Sequence, residues 1–283
     1  MKKVNFFLRN KIRLFILFLG LFIINGHFYI RAYPQIERLF KNIPIPALNC
    51  YSVPTTIWAC PLGTFQHFLA IGFFSFVTTG MVLLVGILIG RWACGWLCPF
   101  GFVQELLHHI KTRKFKLPYW TGHIKTAVFF LLVLILPLLL KSTVFCKTCP
   151  AGALGAGIPH VLINSDLQRL VGVLFIAKMI FLIIVLLASV FYRRPFCSVI
   201  CPLGWAFGLF NKVSLLKLRF NSEKCYNCNL CRVECPMGID PTTQYNSVDC
   251  IRCMNCVKQR CNAMEYYFSI GDRKTLNNEK KEN

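Results

Sequence analysis

Sixteen of the 283 residues are cysteines, and their spacing points to redox or metal chemistry. The chain reads Cys225-x-x-Cys228-x-x-Cys231-x-x-x-Cys235-Pro236, then Cys250-x-x-Cys253-x-x-Cys256, then Cys261. Thiolates are soft ligands suited to iron–sulfur clusters. Three close cysteines with a fourth before proline is the spacing that holds [4Fe–4S] clusters, and in two-cluster proteins the fourth cysteine serves the other cluster. The expected ligand sets are Cys225, Cys228, Cys231 and Cys261 for one cluster, and Cys235, Cys250, Cys253 and Cys256 for the second. Zinc favours paired Cys-x-x-Cys knuckles instead, and disulfides are rare in a reducing compartment. The second run has four residues before Cys261, and Asn262 stands where a proline would repeat the first.

The other eight cysteines follow a repeat. Cys-Pro-x-Gly occurs at Cys60, Cys98, Cys149 and Cys201, each preceded by another cysteine: Cys50, Cys94, Cys146 and Cys197. Proline favours the first helical position. A cysteine just before it sits at the positive end of the helix dipole, which favours thiolate. Two such turns meeting at one membrane surface bring four thiolates together. The expected inner set is Cys94, Cys98, Cys197 and Cys201, and the outer set is Cys50, Cys60, Cys146 and Cys149. Either set reads as an iron–sulfur cluster or another metal site; the rival readings are buried free thiols and, for the outer set, disulfides.

The elements that must position these residues are apolar. The chain is 55% hydrophobic and 15% charged, with mean hydropathy +0.54, whereas soluble domains carry about 25% charged residues. That balance excludes a disordered chain and a small disulfide-stapled domain. A spanning helix needs about 20 apolar residues, and four stretches qualify: 14–30, 68–89, 124–144 and 170–192. Pro137 is expected to kink the third. No small-x-small cleavage pattern follows the first, so it reads as an uncleaved helix. Lys and Arg divide 25 against 6 between alternate loops, which places both termini in the cytoplasm of a multi-pass inner-membrane protein. The net charge of +21 then needs no nucleic-acid partner. The fold expected is an all-α bundle of four transmembrane helices in two repeats over residues 1–219. A small α+β ferredoxin-like domain follows over 220–268, and a polar tail over 269–283.

Lys178 falls inside the fourth stretch, where an ionisable group marks function by default; it is a candidate partner for a cluster or a quinone oxygen, or an amine that snorkels outward. His27, His67 and His160 fall near the outer face, as candidates for a proton exit, haem ligands or plain anchors. His108 and His109 open a basic amphipathic segment. Trp92, Trp96, Trp120 and Trp205 form an inner aromatic belt. No hydrolytic triad or nucleotide loop is visible, and eight of the eleven acids lie in the tail. The chain therefore reads as an electron-transfer subunit without substrate chemistry of its own.

Cys94-Gly-Trp-Leu-Cys98-Pro and Cys197-Ser-Val-Ile-Cys201-Pro, with the tail behind them, resemble the polyferredoxin-like membrane proteins of the NapH type. That group includes a quinol dehydrogenase subunit of periplasmic nitrate reductase and shares motifs with a nitrous-oxide reductase regulator. The resemblance implies four helices, a cytoplasmic two-cluster domain, redox protein partners, and electron traffic between quinone or a cytoplasmic donor and an extracytoplasmic acceptor. The outer cysteines depart from the nitrate-reductase members. They match anaerobe relatives whose first outer motif reads Cys-x-x-Cys-Pro, although Val53 replaces the second cysteine here. Two other roles fit the same residues: an assembly or regulatory factor for a metalloenzyme, and a thiol–disulfide carrier using Cys146 and Cys149.

Overall fold

The computed structural model describes residues 11–24, 43–50, 58–115, 122–163, 172–257, 259 and 263–268. The expectations on His27, Val53, Trp120, Cys261, Asn262 and the 269–283 tail lie outside them. The described chain is mostly helical. Helix α1 is Lys11–Ile24, α2 Pro61–Ile71, α3 Phe76–Ile89, α4 Trp92–Trp96 and α5 Pro99–His108. Helix α6 is Gly122–Leu140 and α7 Val144–Thr148; α8 covers 150–163, α9 is Val173–Phe191, α10 Pro195–Val199 and α11 Pro202–Leu209. The tail adds β1 (Leu216–Phe220), α12 (Leu230–Val233) and β2 (Met264–Phe268).

Helices α6 and α9 are long and apolar enough to cross a bilayer, and only 17% of each is buried in the protein. The core helix of a soluble protein would be mostly covered. These two instead present Leu139, Leu174, Ile180 and Leu187 outward, as lipid-facing helices do.

The second expected span is not one helix. Gly72 ends α2 with a left-handed φ of +87°, its N–H bonded to Leu69 O and that of Phe73 to Phe68 O. This is a helix-terminating motif that a Cβ would oppose. Helix α3 then has 14 residues, about 21 Å at 1.5 Å per residue, short of the roughly 30 Å hydrocarbon core. Helix α1, which overlaps the first span over 14–24, also has 14 residues.

Pro137 does not break α6. A π-helical stretch, Phe129–Ile135, lies immediately before it. Proline lacks an N–H and crowds the carbonyl four residues back; the wider turn makes room there. The carbonyl of Leu132 in that stretch accepts from Gln66 Nε2 at 2.7 Å.

Residues 43–50 run inward and pair with the chain before α2, where Ile45 N–H donates to Ala59 O at 3.1 Å. The tail closes through a two-stranded antiparallel sheet, with Leu218 of β1 opposite Tyr266 of β2.

Candidate metal centres

The tail loops share one backbone shape. Asn227 and Asn229 have positive φ in the first run, and Arg252 and Met254 in the second. These positions lie two and four residues after Cys225 and after Cys250 respectively. Left-handed residues are costly for arginine and methionine. Alternation of this kind turns successive N–H groups into a concave nest, a form common at iron–sulfur and phosphate sites.

Each loop carries its thiols around a hollow. Cys225, Cys228 and Cys231 line a cavity of about 410 Å³. Cys235, Cys250 and Cys253 line a second one beside Leu218 and Met237, and Cys256 lines both. Burial pushes the thiol of Cys235 up to about 12 and that of Cys250 up to about 11. Bare thiolates are therefore disfavoured in the second hollow, and a metal that shares their charge suits it. The structure brings Cys235, Cys250, Cys253 and Cys256 together. It brings Cys225, Cys228 and Cys231 together.

The Cys-Pro turns form two further quartets. Cys94 and Cys197 lie within electrostatic reach of each other and of both Cys98 and Cys201. Cys50, Cys60, Cys146 and Cys149 all lie within electrostatic reach of one another. Every Cys-Pro-x-Gly cysteine is the N-cap of a helix begun by its proline. Of the four sulfurs, that of Cys201 accepts from the N–H of the glycine three residues on, Gly204, at 3.3 Å. No disulfide joins the fifteen described cysteines. Among the described residues no three His, Cys, Asp or Glu side chains sit close enough to hold a single ion. Both quartets are buried or half-buried soft-donor sets, which fits iron–sulfur clusters.

Two arginines organise the inner quartet. Arg91 Nη2 donates to Cys197 O at 2.8 Å, and Arg194 Nη1 donates to Cys94 O at 3.0 Å. Each stands three residues before the cysteine of its own copy and reaches the other copy. A Cβ on Gly204 would lie 2.5 Å from Arg91 Nη2, and one on Gly101 would lie 2.9 Å from Arg194 Nη1. Glycine in the Cys-Pro-x-Gly turn thus admits the partner half's guanidinium. Glu105 accepts from Arg194 at 2.6 Å and from both terminal nitrogens of Arg13 at 2.8 Å. The two guanidinium groups hold the Glu105 carboxyl down at about 2 against its burial.

Two glutamines repeat a second device. Gln66 and Gln104 each stand six residues after a Cys-Pro cysteine. Gln66 Oε1 accepts from Cys146 N–H, and Gln104 Oε1 accepts from Phe196 N–H, beside Cys197. Both are fully buried.

The tail docks directly on the inner quartet. Cys94 and Cys197 pack against Cys235, Ile251 and Cys253. Arg252 donates to Ile89 O at 3.1 Å and to Asn211 O at 2.6 Å. Asn211 Nδ2 in turn donates to Cys250 O at 2.8 Å. Asp249 pairs with Lys125 and lies 3.6 Å from Arg91.

The remaining candidates are placed as follows. Lys178 acts on Cys146 of the outer quartet. His67 is exposed beside Phe68, and His160 is half-buried on α8. His109 Nδ1 meets Glu105 O at 2.7 Å. Trp92 stacks on Trp96, and Trp205 packs on Phe129 and Phe130. The sequence reading missed Arg91, Arg194, Glu105, Gln66 and Gln104. The arginine at a fixed offset before two Cys-x-x-x-Cys-Pro motifs, and the glutamine at a fixed offset after two Cys-Pro turns, were the available signals.

Comparison with known proteins bears on these turns. The model of the 4Fe-4S binding domain matches residues 58–72, 71–118, 123–162 and 174–221, more than half of the chain. The chain belongs to the 4Fe-4S binding domain family. Each of the last three stretches contains one pair of Cys-Pro-turn cysteines, and the first contains Cys60. The 4Fe-4S family match therefore falls on the helical part, ahead of most of the tail. The chain is 31% identical to the uncharacterized protein MJ0750 of Methanocaldococcus jannaschii over 78% of its own length and 90% of that protein. It is 28% identical to the putative electron transport protein YccM of Escherichia coli, over 66% of this chain and 54% of YccM. It is 27% identical to the ferredoxin-type protein NapH of Haemophilus influenzae, over 62% of each. The resemblance to NapH-type proteins is thereby borne out. No solved structure matches the chain significantly.

Proposed function

We propose that this protein is a membrane-integral electron-transfer protein. It carries electrons between a quinone or cytoplasmic donor and an extracytoplasmic redox protein. The observation that carries this reading is the packing of Cys94 and Cys197 of the inner quartet against Cys235 and Cys253 of the tail. Thiol sets placed in series and in contact form a path. An electron transport protein and a ferredoxin-type protein among its relatives support the reading.

Iron–sulfur clusters supply one-electron transfer when bound. The residues proposed to hold them in the tail are Cys225, Cys228, Cys231 and Cys261, and Cys235, Cys250, Cys253 and Cys256. The Cys-Pro quartets are the further sites. The chain's own residues do the rest. Arg252, Asn211 and Asp249 clamp the tail against the helices, apolar side chains exclude water, and buried arginines offset thiolate charge. The proposed topology is multi-pass, with both termini on the basic, cytoplasmic side.

Iron counting with Mössbauer and electron paramagnetic resonance (EPR) spectroscopy on purified protein tests the core of the reading. At least two clusters' worth of iron with [4Fe–4S] signals is expected, and its absence defeats the proposal. Deleting the gene separates transfer from assembly. A partner that is mature and active with dye electrons, yet inactive with quinol, supports transfer; a partner lacking its cofactor supports the assembly role.

A further inference from the structure

Helix α9 meets the tail at its C-terminal end, and the segment after α5 is bound across that same end. Helix α5 stops at His108, and residues 110–115 continue without helical structure. Phe115 N–H donates to Phe191 O at 3.1 Å, and Thr112 Oγ1 donates to Val190 O at 3.3 Å. The rings of Phe115 and Tyr192 lie 5.9 Å apart. The segment is thus a strap fixed at the level where the apolar helix ends. Ile184, Leu187 and Phe191 lead up to it along the outside of α9, each at least 40% exposed.

The cations around this end divide into two kinds. Lys114 is spent on backbone. Its Nζ donates to His108 O at 2.5 Å and to Ile110 O and Val190 O at 2.7 Å, satisfying carbonyls at two helix ends. Arg193 is spent on the tail, where it donates to Val233 O at 2.7 Å and to Cys235 O. Arg194 is spent on Glu105 and Cys94 O. Lys111 and Arg113 are different. Both are exposed, and neither side chain forms an ion pair or hydrogen bond among the described residues. Ile110 and Phe115, 50% and 52% exposed, stand on either side of them. The sequence has no acid between Glu105 and Asp166, and Glu105 is turned inward to Arg13 and Arg194.

Two unpaired positive charges therefore stand between two exposed apolar side chains, beside a lipid-facing helix. Charges at the depth where apolar side chains stop attract anionic headgroups, and the apolar neighbours reach the acyl boundary. We propose that Lys111 and Arg113 form a binding site for the headgroup of an anionic phospholipid at the tail-side end of α9, with Ile110 and Phe115 against its acyl chains. The proposal rests on the membrane-integral reading above and adds a lipid ligand to it. The site adjoins Arg193, so a bound lipid lies beside the contact by which the helices grip the tail.

The test is titration of the full-length protein in non-ionic detergent with pyrene-labelled phosphatidylglycerol or phosphatidylcholine, read by energy transfer from tryptophan. Wild type is expected to bind phosphatidylglycerol more tightly than phosphatidylcholine. The double variant Lys111→Gln, Arg113→Gln is expected to bind phosphatidylglycerol about 30-fold more weakly, two charges' worth of surface attraction, with its iron content unchanged. Lys141→Gln, which alters an exposed lysine at the far end of α6, is expected to bind like wild type. Equal affinity of wild type for the two lipids overturns the proposal, as does wild-type affinity in the double variant. Displacement of the lipid by an equal concentration of glycerol phosphate assigns the site to free phosphate and overturns the lipid. Should the double variant fail to fold, salt still decides on wild type: a phosphatidylglycerol affinity that does not fall with ionic strength overturns the charge contact. Each of these failures leaves iron and EPR signals untouched, so the electron-transfer reading stands or falls separately.

Discussion

Arg91 of the first half bonds the carbonyl of Cys197 in the second at 2.8 Å, and Arg194 returns the contact to Cys94 at 3.0 Å. The inner centre is therefore built by exchange: each repeat supplies two cysteines and one arginine, and each arginine serves the other repeat. The exchange is uneven in charge. Arg194 is balanced at 2.6 Å by Glu105, whereas the nearest acid to Arg91 is the partly exposed Asp249 at 3.6 Å.

That asymmetry predicts different outcomes for the two arginines. Arg91→Gln removes the less compensated charge, so the midpoint potential of the inner centre should fall, with a modest loss of stability. Arg194→Gln should shift the potential less and destabilise more, because it leaves Glu105 short of a partner. Redox titration followed by EPR, beside thermal unfolding in detergent, reads both quantities. Equal effects from the two variants would contradict the assignment.

Glu105 should act as an acid-labile clasp. Its folded value of about 2 lies below the usual carboxylate value of 4.5. The stabilisation is thus complete above about pH 4.5 and is lost as pH falls toward 2. The difference corresponds to about 3 kcal/mol. Wild type should exceed Glu105→Gln in thermal stability at pH 7, and the gap should narrow below about pH 4.5 and vanish as pH approaches about 2. A gap that does not change with pH would remove Glu105 from the clasp. Glu105→Ala, which strands Arg13 and Arg194 without their acid, should cost about 3–5 kcal/mol.

Gln66 predicts a stability effect at the outer quartet. Its side chain satisfies Leu132 O and Cys146 N–H at once. Gln66→Leu keeps the volume and leaves both groups unpaired, at about 1–3 kcal/mol each. Lower thermal stability, with Cys146 more readily alkylated, is the expected result. Wild-type stability in this variant would mean that the two groups find other partners.

In the tail, Cys261→Ser should remove one cluster's worth of iron and change only the signal of the Cys225 loop. Cys235→Ser should remove the other. Iron analysis and EPR of the two variants check this; loss of the same signal in both would show that the fourth ligands are not exchanged between runs.

Much of the site was legible because its signals are local. The Cys-x-x-Cys-x-x-Cys runs and the Cys-Pro-x-Gly turns set loop shape and helix starts within a few residues, and the repeat of the turn pointed to two halves. Gly72 shows where apolarity misled. The stretch 68–89 is continuous in hydropathy, yet one left-handed glycine divides it into two helices. Pro137 shows the reverse, since the helix runs on past it through a π-helical turn whose Leu132 carbonyl finds Gln66.

Sequence by itself determined the family, the helical class and the four Cys-Pro turns, since each depends on covalent spacing and on the dipole and proline preferences of a helix start. Only the tertiary structure decided which groups meet across the halves. Arg91 and Cys197 are 106 residues apart, and Gln66 and Cys146, joined by a peptide N–H, are 80 apart. Contacts of that kind come from packing buried surfaces against one another, and local spacing does not determine them. The same packing buries the Cys-Pro cysteines at their helix starts, and for the inner set the opposite half supplies the arginine that balances them.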